Sequence, residues 1–226
     1  MATTLYSDFA ASILPAVPGV PPPLVNTAVR QAAITFCRES GAWLETLVAI
    51  DSVALTDTYT LTSANANGVV RTVHTVHYDD VPLGMQMWEA LRSEHPDHPD
   101  TANPSTPYKW AMKSRDVLSL FPVPETAVTG GIVVRCTVIP SMTSTGLDTD
   151  VAEDYEEFII HGALNRLLIM PGKQWTEMKI GDYHGQTFRN GINVAKARMN
   201  KGFTNASLQV EYPRIVPTSA SIRRSV

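Results

Sequence analysis

The densest run of chemically capable residues is His95-Pro96-Asp97-His98-Pro99-Asp100. Imidazole and carboxylate are real metal ligands, and a three-residue repeat of both is the kind of spacing a divalent ion could use. A metal-dependent enzyme built on His95, Asp97, His98 and Asp100 is therefore the first chemistry to weigh. Against it, a proline follows each histidine and stiffens the backbone, and no second cluster elsewhere completes a coordination shell. The expectation is a solvated loop. His74 and His77 are three apart in a strand and point to opposite faces. His161 and His184 sit on two separate helical segments, with Asp182 near the second, and are read as ordinary polar helix positions. The chain has no glycine-rich phosphate loop with its lysine, no Gly-x-Ser-x-Gly elbow and no His-Glu-x-x-His helix. No catalytic residue, metal site or cofactor is expected.

The elements that would have to position such residues are legible from pattern. The stretch from Asp150 to Phe203 reads as an antiparallel helical hairpin. Its first arm carries Tyr155, Phe158, Ile159, Ala163, Leu167 and Met170 at three- and four-residue spacing, one stripe of a helix. Asp148 or Asp150 is a good N-cap. Pro171 and Gly172 make the reversal. The second arm, from about Gln174 to Lys201, places Met178, Gly181, Gly185, Phe188, Ile192, Ala195 and Met199 on a heptad-like seam. Each glycine there costs roughly 1 kcal/mol of helix propensity relative to alanine, which predicts a close approach by another helix. Ahead of the hairpin, Leu24 to Ser40 repeats apolar pairs four apart and predicts a further amphipathic helix ending at Gly41.

Between the helices, Leu44 to Thr149 reads as β. The clearest strand is Ile132 to Ile139. Val69 to Tyr78 is expected to place Val70, Thr72, His74, Val76 and Tyr78 on one face. Residues 1–23, rich in proline after Leu14, read as an extended arm laid on the surface. The fold class expected is α+β: a helical bundle formed by both ends of the chain (residues 1–43 plus 150–203), an inserted antiparallel β domain (44–149) and an extended C-terminal tail (204–226). That tail holds Arg214, Arg223 and Arg224, with no acidic residue after Ile215, and is expected to order only against another chain.

Composition narrows the function. Of 226 residues, 44% are hydrophobic and 18% charged, an ordinary globular balance. No apolar run reaches the roughly 20 residues that cross a bilayer, and the N-terminus lacks the basic start and apolar core of a signal peptide. Cys37 and Cys136 each sit inside an apolar pattern and read as buried free thiols of a reducing compartment. The net charge of −4 gives no general attraction to nucleic acid.

The order of these segments resembles the head-to-tail adaptor proteins of tailed bacteriophages, the group that includes tail tubular and neck adaptors below the portal. The resemblance is carried by Leu24 to Trp43, Val117 to Pro124, the strand Ile132 to Pro140, and above all the hairpin. Its most specific residues are Ile160-His161-Gly162-Ala163-Leu164-Asn165-Arg166-Leu167-Leu168 and Met170-Pro171-Gly172-Lys173-Gln174-Trp175, followed by Tyr183 and Phe188. It implies a structural protein of the virion, made in the host cytoplasm. Such proteins form a ring, commonly dodecameric, between the portal protein and a downstream neck or tail protein, with DNA passing through the channel. Their C-terminal extensions reach the portal or a neighbouring subunit, a role that would fall here to Arg214, Arg223 and Arg224. A tail-completion or tail-terminator ring is the alternative within the same class.

Overall fold

The computed structural model describes residues 2–201. In chain order the elements are β1 (Thr3–Leu5), α1 (Ala10–Ile13), α2 (Pro22–Ser40), β2 (Leu44–Thr46), β3 (Ile50–Ser52), β4 (Thr58–Thr60), β5 (Gly68–Tyr78), β6 (Val81–Pro82), β7 (Gly84–Met85), α3 (Trp88–Glu94), β8 (Lys109–Met112), β9 (Val117–Phe121), β10 (Val128–Pro140), β11 (Gly146–Asp148), α4 (Thr149–Leu168) and α5 (Met178–Lys201).

The strands form three sheets. The largest runs β2-β10-β5-β6, with β3 pairing the other end of β10. A second runs β4-β9-β8-β7, and its β7–β8 pair is parallel. The third joins β1 to β11. Helix α2 starts on the proline pair Pro22-Pro23, whose fixed φ suits a first turn. It ends where Gly41 takes φ 68° and its N–H reaches Cys37 O at 3.0 Å, a left-handed cap that glycine adopts without steric cost. Trp43 follows, 2% exposed, and sits where a Cβ on Gly68 would come within 3.0 Å of its ring.

The helical bundle formed by both ends, with an antiparallel β domain inserted, is not what the chain builds. Helix α2 packs on strand β10 as well as on α4 and α5. Phe36, Cys37 and Ala33 of α2 share one continuous buried cluster with Val134, Cys136 and Val138 of β10 and with Ile159 and Leu167 of α4. The helices are one layer of a mixed fold whose core they share with the large sheet. The physical reason is that α2 is apolar over a wide arc (Val25, Ala28, Val29, Ala32, Ala33, Phe36 and Cys37 are all buried) and covers helices on one side and sheet on the other.

The N-terminal segment is likewise not a surface arm. Tyr6, Phe9, Ile13, Val17 and Val20 are all at most 4% exposed, and Tyr6 Oη lies 2.8 Å from Ser144 Oγ. Residues 202–226, which include Arg214, Arg223 and Arg224, lie outside the described residues.

In β5 the expected alternation also fails. The buried residues are Val70, Val73, Val76 and Tyr78, while Thr72 and His74 are exposed. The register against β10 shifts twice, between Arg135 and Cys136 and between Thr137 and Val138. Each extra residue on β5 advances the side-chain phase by one, so the strand buries every third residue along that stretch.

Candidate functional site

The loop that looked most like chemistry lines a cavity of about 310 Å³ together with Tyr108, Phe121, Pro122 and Val123. Asp97 is exposed, and the other three candidate ligands are already employed. His95 stacks on Phe121 with ring centroids 4.0 Å apart. The Asp100 carboxylate accepts from Ala102 N, Asn103 N and Asn103 Nδ2, an Asx-type turn that holds its carboxyl below the usual range. His98 turns inward, its side chain fully buried. Nε2 lies 3.0 Å from Ser119 Oγ and 3.6 Å from Asp57 Oδ2, and the ring meets Trp88 and Phe121 edge-on.

Serine, histidine and aspartate thus meet at one point, which sequence reasoning missed. Nothing local signals it, because Asp57, His98 and Ser119 come from three separate segments. The geometry is not that of a nucleophile with its base. Serine and carboxylate both face Nε2, so a proton taken from Ser119 has no carboxylate at the opposite nitrogen to steady it. Nδ1 is buried without a partner, and Ser119 is fully buried. Burial, outweighing the pull of Asp57, pushes His98 below the usual imidazole range. A neutral ring is what a packing role needs. Among the described residues no group of three or more His, Cys, Asp or Glu side chains is placed to hold a metal ion. Both thiols are buried and free, each pushed up to about 12, chiefly by burial, which leaves no thiolate for nucleophilic work.

The α4–α5 pair is organised differently. The turn between the helices spans residues 169–177. Gly172 takes φ 71°, Glu177 N reaches Leu168 O at 2.9 Å, and Thr176 Oγ1 donates to Met170 O. Of the seven seam residues predicted from spacing, Gly181, Gly185, Phe188, Ile192 and Ala195 are buried, Met199 is half-buried, and Met178, at the mouth of the turn, is 66% exposed. The close approach falls on the glycines. A Cβ on Gly181 would lie 2.9 Å from Ile169, on Gly185 2.7 Å from Asn165 Nδ2, and on Gly191 2.3 Å from the Phe158 ring. Asn165 uses that proximity by donating from Nδ2 to Gly181 O at 2.7 Å.

His161 and His184 are not ordinary polar positions. Their Nδ1 atoms lie 2.5 Å apart across the seam, so one ring donates and the other accepts. Burial, followed by the neighbouring His161, pushes His184 below its usual range. On the far side of α4, Arg166 Nη2 donates to Thr35 Oγ1 at 2.9 Å and ties the pair to α2.

Outward, the same pair carries opposite charges. Helix α4 holds Asp150, Glu153, Asp154, Glu156 and Glu157 against one basic residue, Arg166. Helix α5 holds Lys179, Arg189, Lys196, Arg198 and Lys201 against one acidic residue, Asp182. Within the chain Asp154 pairs with Arg198 at 3.3 Å. Glu153, Glu156, Glu157, Arg189 and Lys196 are exposed. Tyr183 and Val194 add exposed apolar surface on α5. No helix among the described residues is long and apolar enough to cross a membrane.

The helical pair, packed on the core through its glycine seam and through Arg166, presents an exposed charged surface. Comparison with known proteins points the same way. No curated protein matches the chain. The family model described as SU10 adaptor protein matches residues 4–210, nearly the whole chain. The chain belongs to the SU10 adaptor protein family, in agreement with its resemblance to phage head-to-tail adaptors.

Proposed function

We propose that the chain is one subunit of a ring, dodecameric in the manner of the adaptors it resembles, seated beneath the portal protein. The ring joins the phage head to the next neck or tail protein and leaves a channel for DNA. Membership of an adaptor family implies a structural role and a place in the virion. The observation that carries the finer reading is the α4–α5 pair. Its inner face is locked by glycine-to-ring contacts, and its outer faces are charged with opposite signs on the two helices. A pair built that way holds its shape while it meets a neighbour.

The weakly acidic chain suits a lumen in which DNA slides without being gripped. Arg214, Arg223 and Arg224, in the segment beyond the described residues, dock against the portal or an adjacent subunit, where guanidinium forks pair with carboxylates. No catalytic step is assigned. The serine–histidine–aspartate cluster has both partners on one nitrogen and supports packing rather than turnover. A density map of intact particles of the phage that encodes this chain tests the reading. The expected result is a ring of this fold directly below the portal. Its location on the tail tube would favour a tail-terminator role, and its absence from the particle would sink both.

A further inference from the structure

Two stripes on the helical pair have a complementarity that the fold itself leaves unused. Helix α4 is kinked at Tyr155 (φ −134°, ψ 17°); Glu156, Glu157 and Ile160 follow it at i, i+1 and i+4, and Glu153, ahead of the kink, opens onto the same groove. The three carboxylates are exposed, and with Phe158 and His161 they border a shallow groove of about 380 Å³. On α5, Arg189 and Lys196 are seven residues apart on one exposed stripe. Each follows directly a seam residue, Phe188 and Ala195, that is buried, so their stripe lies beside the seam rather than in it. Both stripes face outward from helices whose mutual packing is fixed, so neither can rotate to neutralise the other within one subunit.

We propose that the acidic α4 stripe of one copy receives the basic α5 stripe of the next. This rests on the ring reading above and specifies its lateral contact. The occupant is a second copy of this chain, and the argument is charge complementarity: three exposed carboxylates against Arg189 and Lys196, with the half-buried Ile160 beside them. Two different patches meeting head to tail make a heterologous contact, which closes into a ring when the rotation from copy to copy completes a full turn. The charges set register and partner choice more than raw affinity, and salt screens them.

The test is charge exchange during particle assembly. Cells infected with phage lacking the gene are supplied with E153K/E156K/E157K, with R189E/K196E, or with both. The number of copies built into purified particles is counted. Each reversed variant alone carries one sign on both faces and should fall by roughly tenfold or more. The two together restore the opposite signs at every contact and should recover incorporation. Recovery also shows that both variants fold. Carboxylate–amine crosslinking of particles assembled from mixed isotopic labels should join Lys196 to Glu153, Glu156 or Glu157 between copies.

Undiminished incorporation of either single variant would overturn the proposal, as would failure of the pair to recover. Rescue of E153K/E156K/E157K by R214E/R223E/R224E, and not by R189E/K196E, would show that the C-terminal segment occupies the stripe. Absence of the unmodified chain from any ring would sink the functional reading itself, a result separable from all of these.

Discussion

The loop from His95 to Asp100 and the helical pair α4–α5 invert what their sequences advertise. The loop holds the residue types of catalysis and metal binding, yet it spends three of them locally: His95 on Phe121, His98 on Ser119 and Asp57, Asp100 on its own turn. The helices pair His161 with His184 across their seam and Asp154 with Arg198, yet leave Glu153, Glu156, Glu157, Arg189 and Lys196 exposed. A side chain's availability, not its type, decides what it can do, and availability is set by packing that composition does not reveal. In the loop, packing turns His98 inward to Ser119 and Asp57 through Nε2 while its Nδ1 stays unpartnered. On the helices the glycine seam takes up the packing and leaves the charged flanks exposed.

That contrast can be broken at its tightest point first. Gly191→Leu drives a side chain into the Phe158 ring, where even a Cβ would sit at 2.3 Å. The expected loss is about 3 kcal/mol, in the upper range for overpacking, read as a fall in the urea midpoint. Gly185→Leu meets Asn165, a flexible side chain, and should cost less, about 1–2 kcal/mol. Equal stability of Gly191→Leu and the parent would show that the seam is loose and that the rigid-pair argument fails.

The loop is probed by His98→Ala. It removes a buried ring and leaves Ser119 only its long 3.5 Å bond to Asp57 Oδ2, with an expected cost of about 2 kcal/mol. Incorporation into particles should follow stability alone on the proposed reading, because the buried His98 side chain offers no surface to a partner. A variant as stable as the parent but unable to join particles would make the loop a contact site after all.

Acid adds a smaller effect in both regions. His98 and His184 each have a folded-state pKa below the ordinary imidazole value near 6.5, first through burial. The unfolded chain therefore binds more protons in that range, and stability rises with pH there. Their contribution is fully present above about pH 6.5 and is lost as pH falls through their folded values. Denaturant midpoints measured from pH 7.5 to 5 should drop, and His184→Gln should flatten part of that drop. A parent midpoint independent of pH would contradict both placements. Smallest of all is the effect of metal removal. Chelation should leave the thermal midpoint unchanged and elemental analysis should find no stoichiometric zinc or manganese, whereas stoichiometric metal would reopen the loop as a site.

Sequence reasoning reached the parts governed by local period. Helix α2 with its Gly41 cap, the reversal at Pro171-Gly172 and strand β10 all follow from spacing and turn chemistry within one segment. The rest depends on distant partners. Prolines at 15 and 18 argued for a surface arm, whereas Tyr6, Phe9, Ile13, Val17 and Val20 recur at three- and four-residue steps and are buried in the shared core. The helix pattern was present but interrupted. The phase of β5 hangs on two register shifts against β10, which no feature of β5 itself encodes. The meeting of Asp57, His98 and Ser119 is a product of topology alone. The His161–His184 contact was within reach once the hairpin was drawn, because antiparallel arms bring positions near their turn together.

The central claim is that this chain works as a ring subunit through the outer faces of α4 and α5. A density map of the portal-proximal region of intact particles, resolved well enough to trace side chains, tests it most directly. The account predicts neighbouring copies around the channel, with Glu153, Glu156 and Glu157 of one subunit against Arg189 and Lys196 of the next. A ring joined through other elements, with both stripes facing solvent, would contradict it.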